Sequence, residues 1–156
     1  MKPSRLSPAR AAEIAATCAC FNVRKAARAI TQLYDDALRP SGLRATQFTL
    51  LVHLGGRGPT SVGELADHTV TDRTTLTRNL AILEERGLVE IRPGDDARVR
   101  LVELTPAGHR AVAAAVPLWE HAQDALAERL GGERVARLRE SLRAVTAPGA
   151  RRSGAR

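Results

Sequence analysis

Aromatic residues are scarce: one Trp, one Tyr and two Phe in 156 residues. Any core must therefore be built from Leu, Val and Ala, a composition that favours helices. Cys18 and Cys20 are the only cysteines, too few for the disulfide framework of a small secreted domain. The first ten residues hold no apolar segment of a signal peptide, and no apolar run approaches the roughly 20 residues of a membrane span. A cytoplasmic protein without a membrane partner is expected. Catalytic groupings are missing too. His53, His68, His109 and His121 are scattered, and there is no nucleophile–His–acid set, paired carboxylates or glycine-rich phosphate loop. An enzyme is not expected, and no cofactor is implied. Nor is a metal, because the helix around the cysteines supplies no His at ligand spacing.

What the chain does have is enough apolar residue, 44 %, for one compact domain or a small domain with an extended dimerisation element. Its formal net charge of +7 suits a polyanionic partner. The excess is uneven. Residues 1–44 carry eight Lys/Arg against three acids, and three arginines with no acid follow Ala150, whereas residues 71–100 balance six of each. The basic surplus lies in the flanking arms.

Taken in order, Pro3 and Pro8 among basic and small residues suggest a mobile arm over 1–12. One long helix is predicted from about Glu13 to Leu38, with Cys20, Val23, Ala27, Ile30, Tyr34 and Ala37 forming a seam for another helix. Arg39-Pro40-Ser41-Gly42 stops it. Thr46 is the expected N-cap of a short helix with Phe48, Leu51 and Val52 facing inward, followed by a turn over Gly55–Pro59. Ser61-Val62-Gly63-Glu64 has the form of a capping box, and its helix buries Val62, Leu65 and Ala66. Asp72 caps the next helix, which ends at Gly87. Leu88–Arg92 and Val99–Leu104 alternate as strands around Pro-Gly-Asp-Asp turn chemistry. Thr105-Pro106 starts a helix in the preferred way, with Pro117 kinking or breaking it and Gly131-Gly132 ending it. A last helix carries Val135, Leu138, Leu142 and Val145. Residues 148–156 form a disordered basic tail.

The expected fold is therefore mainly α with a small β-hairpin wing. A winged helix-turn-helix over 45–105 is flanked by a helical dimerisation region, 13–44 and 106–147, whose amphipathic helices need a partner, most economically a second copy. On the Asp72–Arg86 helix, Leu76, Leu80 and Leu83 share one face, while Thr74, Arg78 and Ala81 lie opposite, flanked by Thr75 and Thr77. An Arg can grip a guanine edge or a phosphate, threonines bond phosphates or touch thymine methyls, and Ala81 permits close approach. Arg73 opens this helix. The hairpin tip carries Arg92, Asp95, Asp96, Arg98 and Arg100, and an Arg there can enter a narrow minor groove.

DRTTLTRNLAILEERGLVE followed by DDARVRLVELTPAG, with the run from Cys18 to Leu51, resembles the MarR family of bacterial transcriptional regulators over about residues 13–146. The most specific pieces are Asp96-x-Arg98 and Leu104-Thr105-Pro106-Ala107-Gly108. The resemblance implies a homodimer that binds double-stranded DNA, each winged head reading half of a pseudo-palindrome. By position, Arg73, Thr74, Thr75, Thr77 and Arg78 become recognition-helix contacts. Arg98, with Arg92 nearby, becomes the minor-groove group, and Asp96 its support.

Family members commonly repress and release DNA when a small, often aromatic, effector enters the crevice between dimerisation helices and winged domain. Tyr34, Phe48, His53 and Trp119 are the candidates to line it, although aromatics at helical spacing usually fill a core. Cys20 stands where the organic-hydroperoxide-sensing branch of the family places its reactive cysteine, and Tyr34 coincides with a tyrosine of that branch. Arg24 and Ala45 occupy the positions of two further tyrosines, so the hydrogen bonds that activate the thiol are missing. In one helix Cys18 and Cys20 point about 200° apart and cannot pair without unwinding. A thiol-based sensor and a winged-helix protein-interaction module remain the alternatives to a ligand-released repressor.

Overall fold

The computed structural model describes residues 5–96 and 98–147. The basic tail expected over 148–156 and the first residues of the expected arm lie outside them. Among the described residues, seven α-helices and three short strands run in the order α1 (Pro8–Thr17), α2 (Ala19–Leu38), α3 (Ala45–Arg57), β1 (Thr60–Ser61), α4 (Val62–Thr69), α5 (Arg73–Glu85), β2 (Val89–Pro93), β3 (Arg100–Leu104), α6 (Pro106–Leu130) and α7 (Gly132–Thr146). The fold is the expected one, mainly α with a small antiparallel sheet, of strand order β1-β3-β2.

The amino-terminal part differs from expectation. Residues 8–12, read as a mobile arm, are helical. Ser7 caps α1 by accepting the Arg10 N–H at 3.2 Å, and Pro8 takes the first helical position, where its missing N–H costs nothing. The long helix predicted from Glu13 is broken at Cys18, whose φ of −70° and ψ of 108° are extended. Asn22 explains the break. Its side-chain amide donates to the Ala15, Ala16 and Cys18 carbonyls at 3.0, 3.2 and 2.9 Å, satisfying acceptors that a helix end leaves open. The Cys18 thiol in turn accepts the Phe21 N–H at 3.4 Å. The two cysteines therefore do not share one helix, and the 200° argument no longer applies to them.

Helix α3 begins at Ala45 rather than being capped by Thr46. Asp35, on α2, accepts the Ala45 N–H at 2.7 Å, and Gln47 accepts that of Arg44 at 3.1 Å. Phe48, Leu51 and Leu54 point into the core, but Val52 is 43 % exposed and faces outward. The turn expected at Gly55 is still helix. A Cβ on Gly55 would lie 3.3 Å from Leu104 Cδ1, so the absent side chain lets α3 lie close against β3. The chain leaves the helix only at Gly58, with φ +75°.

The capping box at Ser61 forms as predicted: Glu64 N–H donates to Ser61 Oγ at 3.1 Å, and Ser61 N–H to Glu64 Oε2 at 3.0 Å. The Ser61 hydroxyl, donating to Glu64 Oε2 at 2.7 Å, and then the Ser61 N–H hold the Glu64 carboxyl below its ordinary pKa. Between α4 and α5 the chain turns through Val70, a β-branched residue with φ 54° and ψ 35°. That left-handed conformation costs a non-glycine residue about 1–2 kcal/mol. Val70 is exposed, so Val70→Asn, which tolerates this region better, is expected to raise stability by about 1 kcal/mol in urea titrations.

Leu38, Leu51, Leu54, Leu65, Leu76, Leu80, Leu83 and Val102 are fully buried and form one core under the three strands. Each buried leucine contributes about 1.5–3 kcal/mol relative to exposure. Ile91 pairs with Val102, and Val89 with Leu104, so the inner face of the wing closes this core. Thr105 caps α6, accepting the Gly108 N–H at 3.0 Å. The helix runs unbroken through Pro117; Ala113, whose carbonyl Pro117 leaves without its intrahelical donor, is exposed, so water can serve instead. On α7 only Val135 is buried. Leu142 and Val145, like Phe21 and Val23 on α2, remain open to solvent.

Candidate nucleic-acid interface

Helix α5 is amphipathic in the way its sequence predicts. Leu76, Leu80 and Leu83, at i, i+4 and i+7, are at most 1 % exposed, which fixes the helix's rotation about its axis. Arg73, Thr74, Thr75, Thr77, Arg78 and Ala81 are all exposed. Asp72 caps the helix, accepting the Thr75 N–H at 2.8 Å. This bond holds its carboxyl below the ordinary pKa. The Thr77 hydroxyl donates to the Arg73 carbonyl at 2.7 Å, leaving its lone pairs free to accept.

Because the folded pKa of Asp72 is depressed, its contribution is complete above the unfolded value near pH 4 and drains as pH falls through the folded value. Asp72→Asn keeps an acceptor at the cap but no titrating group. The expected result is a shallower fall of melting temperature below about pH 4 than in the parent chain, read by circular dichroism.

Beyond β2 the wing turns tightly. Gly94 N–H donates to the Val99 carbonyl and Val99 N–H to the Asp96 carbonyl, both at 2.8 Å. Asp96 was expected to support the Arg98 guanidinium; instead its carboxylate accepts the Arg98 backbone N–H at 2.9 Å. An Asp so placed closes its own turn and acts on Arg98 through the backbone. Arg92, the other wing arginine expected at the DNA, has its Nε 2.8 Å from Glu103 Oε1 across the strand pair, which raises its pKa. Its charge is partly spent within the sheet.

Helix and wing enclose a groove of about 490 Å³, lined by Arg73, Thr77, Ala81, Arg98 and Arg100 among others. Three arginines from two elements thus face one space. Among the described residues, Arg73, Arg78, Arg98 and Arg100 take part in no ion pair. The equal numbers of acids and arginines over 71–100 hide this, because five of those six acids do not line the groove. One acid, Glu84, does line it. Arg100 was not among the predicted contacts. Its signal was its place at the hairpin tip beside Arg98, just where β3 begins.

The four aromatic candidates do not form one site. Phe48 and Trp119 pack together, ring centres 6.4 Å apart. Trp119 also borders a hollow of about 320 Å³ between α6 and α7 that Arg139 lines. Tyr34 lies within the influence of Arg139, and burial raises its pKa against that charge. His53 belongs elsewhere, 5.1 Å from the His68 ring. Burial lowers its pKa, helped by Arg57 and His68, and its buried Nε2 has no hydrogen-bond partner among the described residues. Cys20 is exposed at the start of α2, and Cys18 partly so.

The model of the MarR family matches residues 41–98, which include α5 and β2 but not β3. The uncharacterised helix-turn-helix transcriptional regulator YwoH of Bacillus subtilis is 35 % identical over 83 residues, 53 % of this chain and 61 % of that protein. The matched stretch thus falls short of two thirds of that relative. The transcriptional repressor NicR of Pseudomonas putida is 31 % identical over 116 residues, 73 % of each chain. Among solved structures, the M. tuberculosis transcriptional regulator MosR in complex with DNA superposes with a TM-score of 0.71 at 44 % identity, over 80 % of this chain and 92 % of that one.

Proposed function

Because the chain belongs to the MarR family of DNA-binding transcriptional regulators, we propose that it acts as a homodimeric repressor in the cytoplasm. Each copy reads half of a pseudo-palindromic operator. Thr74, Thr75, Thr77 and Arg78 contact the major groove. Arg98, with Arg100, enters the minor groove beside it, and Arg73 grips phosphate where helix and wing meet. The observation that carries this reading is the shared groove of Arg73, Thr77, Arg98 and Arg100, continuous with the uncommitted outer face of α5. Positive groups without acidic partners, beside small polar side chains, make up what duplex recognition requires.

The second copy is supported by the faces that one chain leaves wet. Ile14, Phe21, Val23, Leu142 and Val145 are all more than 40 % exposed, on the helices flanking the winged unit, and exposed apolar area of this kind favours association. The flanking helices 13–44 and 106–147 form the dimerisation region, and 45–105 the DNA-binding unit. In such a dimer the half-site centres lie about 34–36 Å apart. A small aromatic effector is the proposed release signal, taken by the hollow that Trp119 and Arg139 line.

The test is a fluorescence-anisotropy titration with duplex selected from a random library, followed by sedimentation of the complex. The expected complex holds two chains per duplex, and its affinity falls steeply with salt. Failure to prefer any duplex over random DNA would leave a protein-interaction module as the better reading.

A further inference from the structure

The carboxyl end of α5 is tied to both halves of the flanking helical region within three consecutive residues. The helix stops at Gly87, with φ +66°, in a Schellman motif: Gly87 N–H donates to the Glu84 carbonyl at 2.8 Å and Leu88 N–H to that of Leu83 at 2.9 Å. These bonds use the donors of the turn and leave its carbonyls to outside partners. Thr105, immediately before α6, supplies them. Its hydroxyl donates to the Gly87 carbonyl at 2.6 Å and its N–H to the Leu88 carbonyl at 3.2 Å. From the other side, the Arg86 guanidinium donates from Nη1 to the Gly42 carbonyl at 3.0 Å, across 44 residues. Gly42 ends the turn that follows α2, and Asp35 of α2 anchors the far side of that turn to α3.

The geometry points to Arg86–Leu88 as the joint through which the helices on either side of the winged unit set the tilt of α5, with Arg86 as a positioning residue. The inference rests on the DNA-reading dimer proposed above. A 13-residue helix is roughly 20 Å long. Leu76, Leu80 and Leu83 seat it on the core, and Arg73 and Thr74 project outward from its first turn. A tilt of about 10° at the joint, taken by α5 with the core beneath it, would move that first turn by roughly 3 Å, close to the rise of one base pair. The Gly42 tie comes from α2 and the Thr105 tie from α6, so a shift of either helix reaches α5 at the same three residues. Arg86 is exposed, and its removal opens no cavity. What is lost is the bond that fixes one side of the joint.

The experiment compares the selected duplex with the same duplex carrying one extra base pair at its centre, for the parent chain, Arg86→Ala and Arg86→Lys. The extra pair rotates and displaces one half-site, so a rigid dimer is expected to lose at least about tenfold in affinity. Arg86→Ala is expected to bind the original spacing about tenfold more weakly, while its penalty for the extra pair shrinks below about threefold. Arg86→Lys, which can still donate to Gly42, should recover most of the discrimination. Equal weakening on both duplexes would mean that Arg86 only adds charge or stability, and would overturn the inference. So would an Arg86→Ala chain indistinguishable from the parent. A parent chain that binds DNA but ignores spacing would instead remove the dimer reading, and the joint with it.

Discussion

Arg78→Ala and Arg98→Ala are each expected to weaken binding to the selected operator by about 10- to 100-fold, with the fold intact. The magnitude follows from a bidentate or groove-inserted guanidinium, worth about 1–3 kcal/mol of discrimination. Both side chains are exposed and engage in no ion pair among the described residues, so the loss reads out at the DNA. The two should differ in kind. On the proposed reading Arg78, on the outer face of α5, meets base edges, so its loss should relax sequence preference at one position of each half-site. On the same reading Arg98, at the wing tip, enters the minor groove, where width and A·T content matter more than base identity. Arg92→Ala should cost much less, because Glu103 already holds that guanidinium. Selections repeated with each variant separate these outcomes.

Among the described glycines, Gly108→Ala is expected to be the most damaging added methyl. A Cβ built on Gly108 would lie 2.0 Å from the Leu88 carbonyl oxygen and 3.1 Å from its carbon. Both are backbone atoms, and that carbonyl also accepts the Thr105 N–H. Neither side can yield by rotating a side chain, so α6 must move away from the end of α5. Overpacking of this kind costs about 3 kcal/mol. At fixed protein concentration that lowers the melting temperature by roughly 6–12 °C in a chain of this size. Gly132→Ala is the control. Its Cβ would meet nothing within 4 Å, and alanine favours the helix it begins, so stability should hold or rise slightly. The displaced joint should also cost Gly108→Ala DNA affinity at temperatures where it remains folded.

The winged unit was legible in the sequence wherever structure is set by neighbouring residues. The Ser61–Glu64 box, the Asp72 and Thr105 caps and the leucines of α5 all act within one or two turns, and each appears where its spacing predicts. Legibility failed where a side chain satisfies backbone from farther off. Asn22 reaches back six and seven residues to end α1, and Asp35 caps α3 from ten residues upstream. Thr46 lost to a partner that no local pattern names. Gly55 and Gly56 looked like a turn because glycine is poor in helices; contact with Leu104 outweighs that preference. At the site, exposure of Thr74, Thr75, Thr77 and Arg78 followed from periodicity alone. The Arg92–Glu103 pair did not, because it depends on strand register. Asp96 was assigned to the right loop, but to the guanidinium of Arg98 instead of its N–H. The pattern Leu104–Gly108 was visible as a motif, whereas the reason for its glycine is a backbone contact with Leu88 that exists only in the fold.

The central claim is that the outer face of α5 and the wing together form the surface that meets DNA. Hydrogen exchange of the protein with and without its selected duplex tests it most directly. The account predicts slowed exchange in peptides covering the first turns of α5, from Asp72 to Ala81, and the wing around Arg98 and Arg100, with little change at Trp119 and Arg139. Slowing confined to the flanking helices, with α5 and the wing exchanging as they do in the free protein, would contradict it.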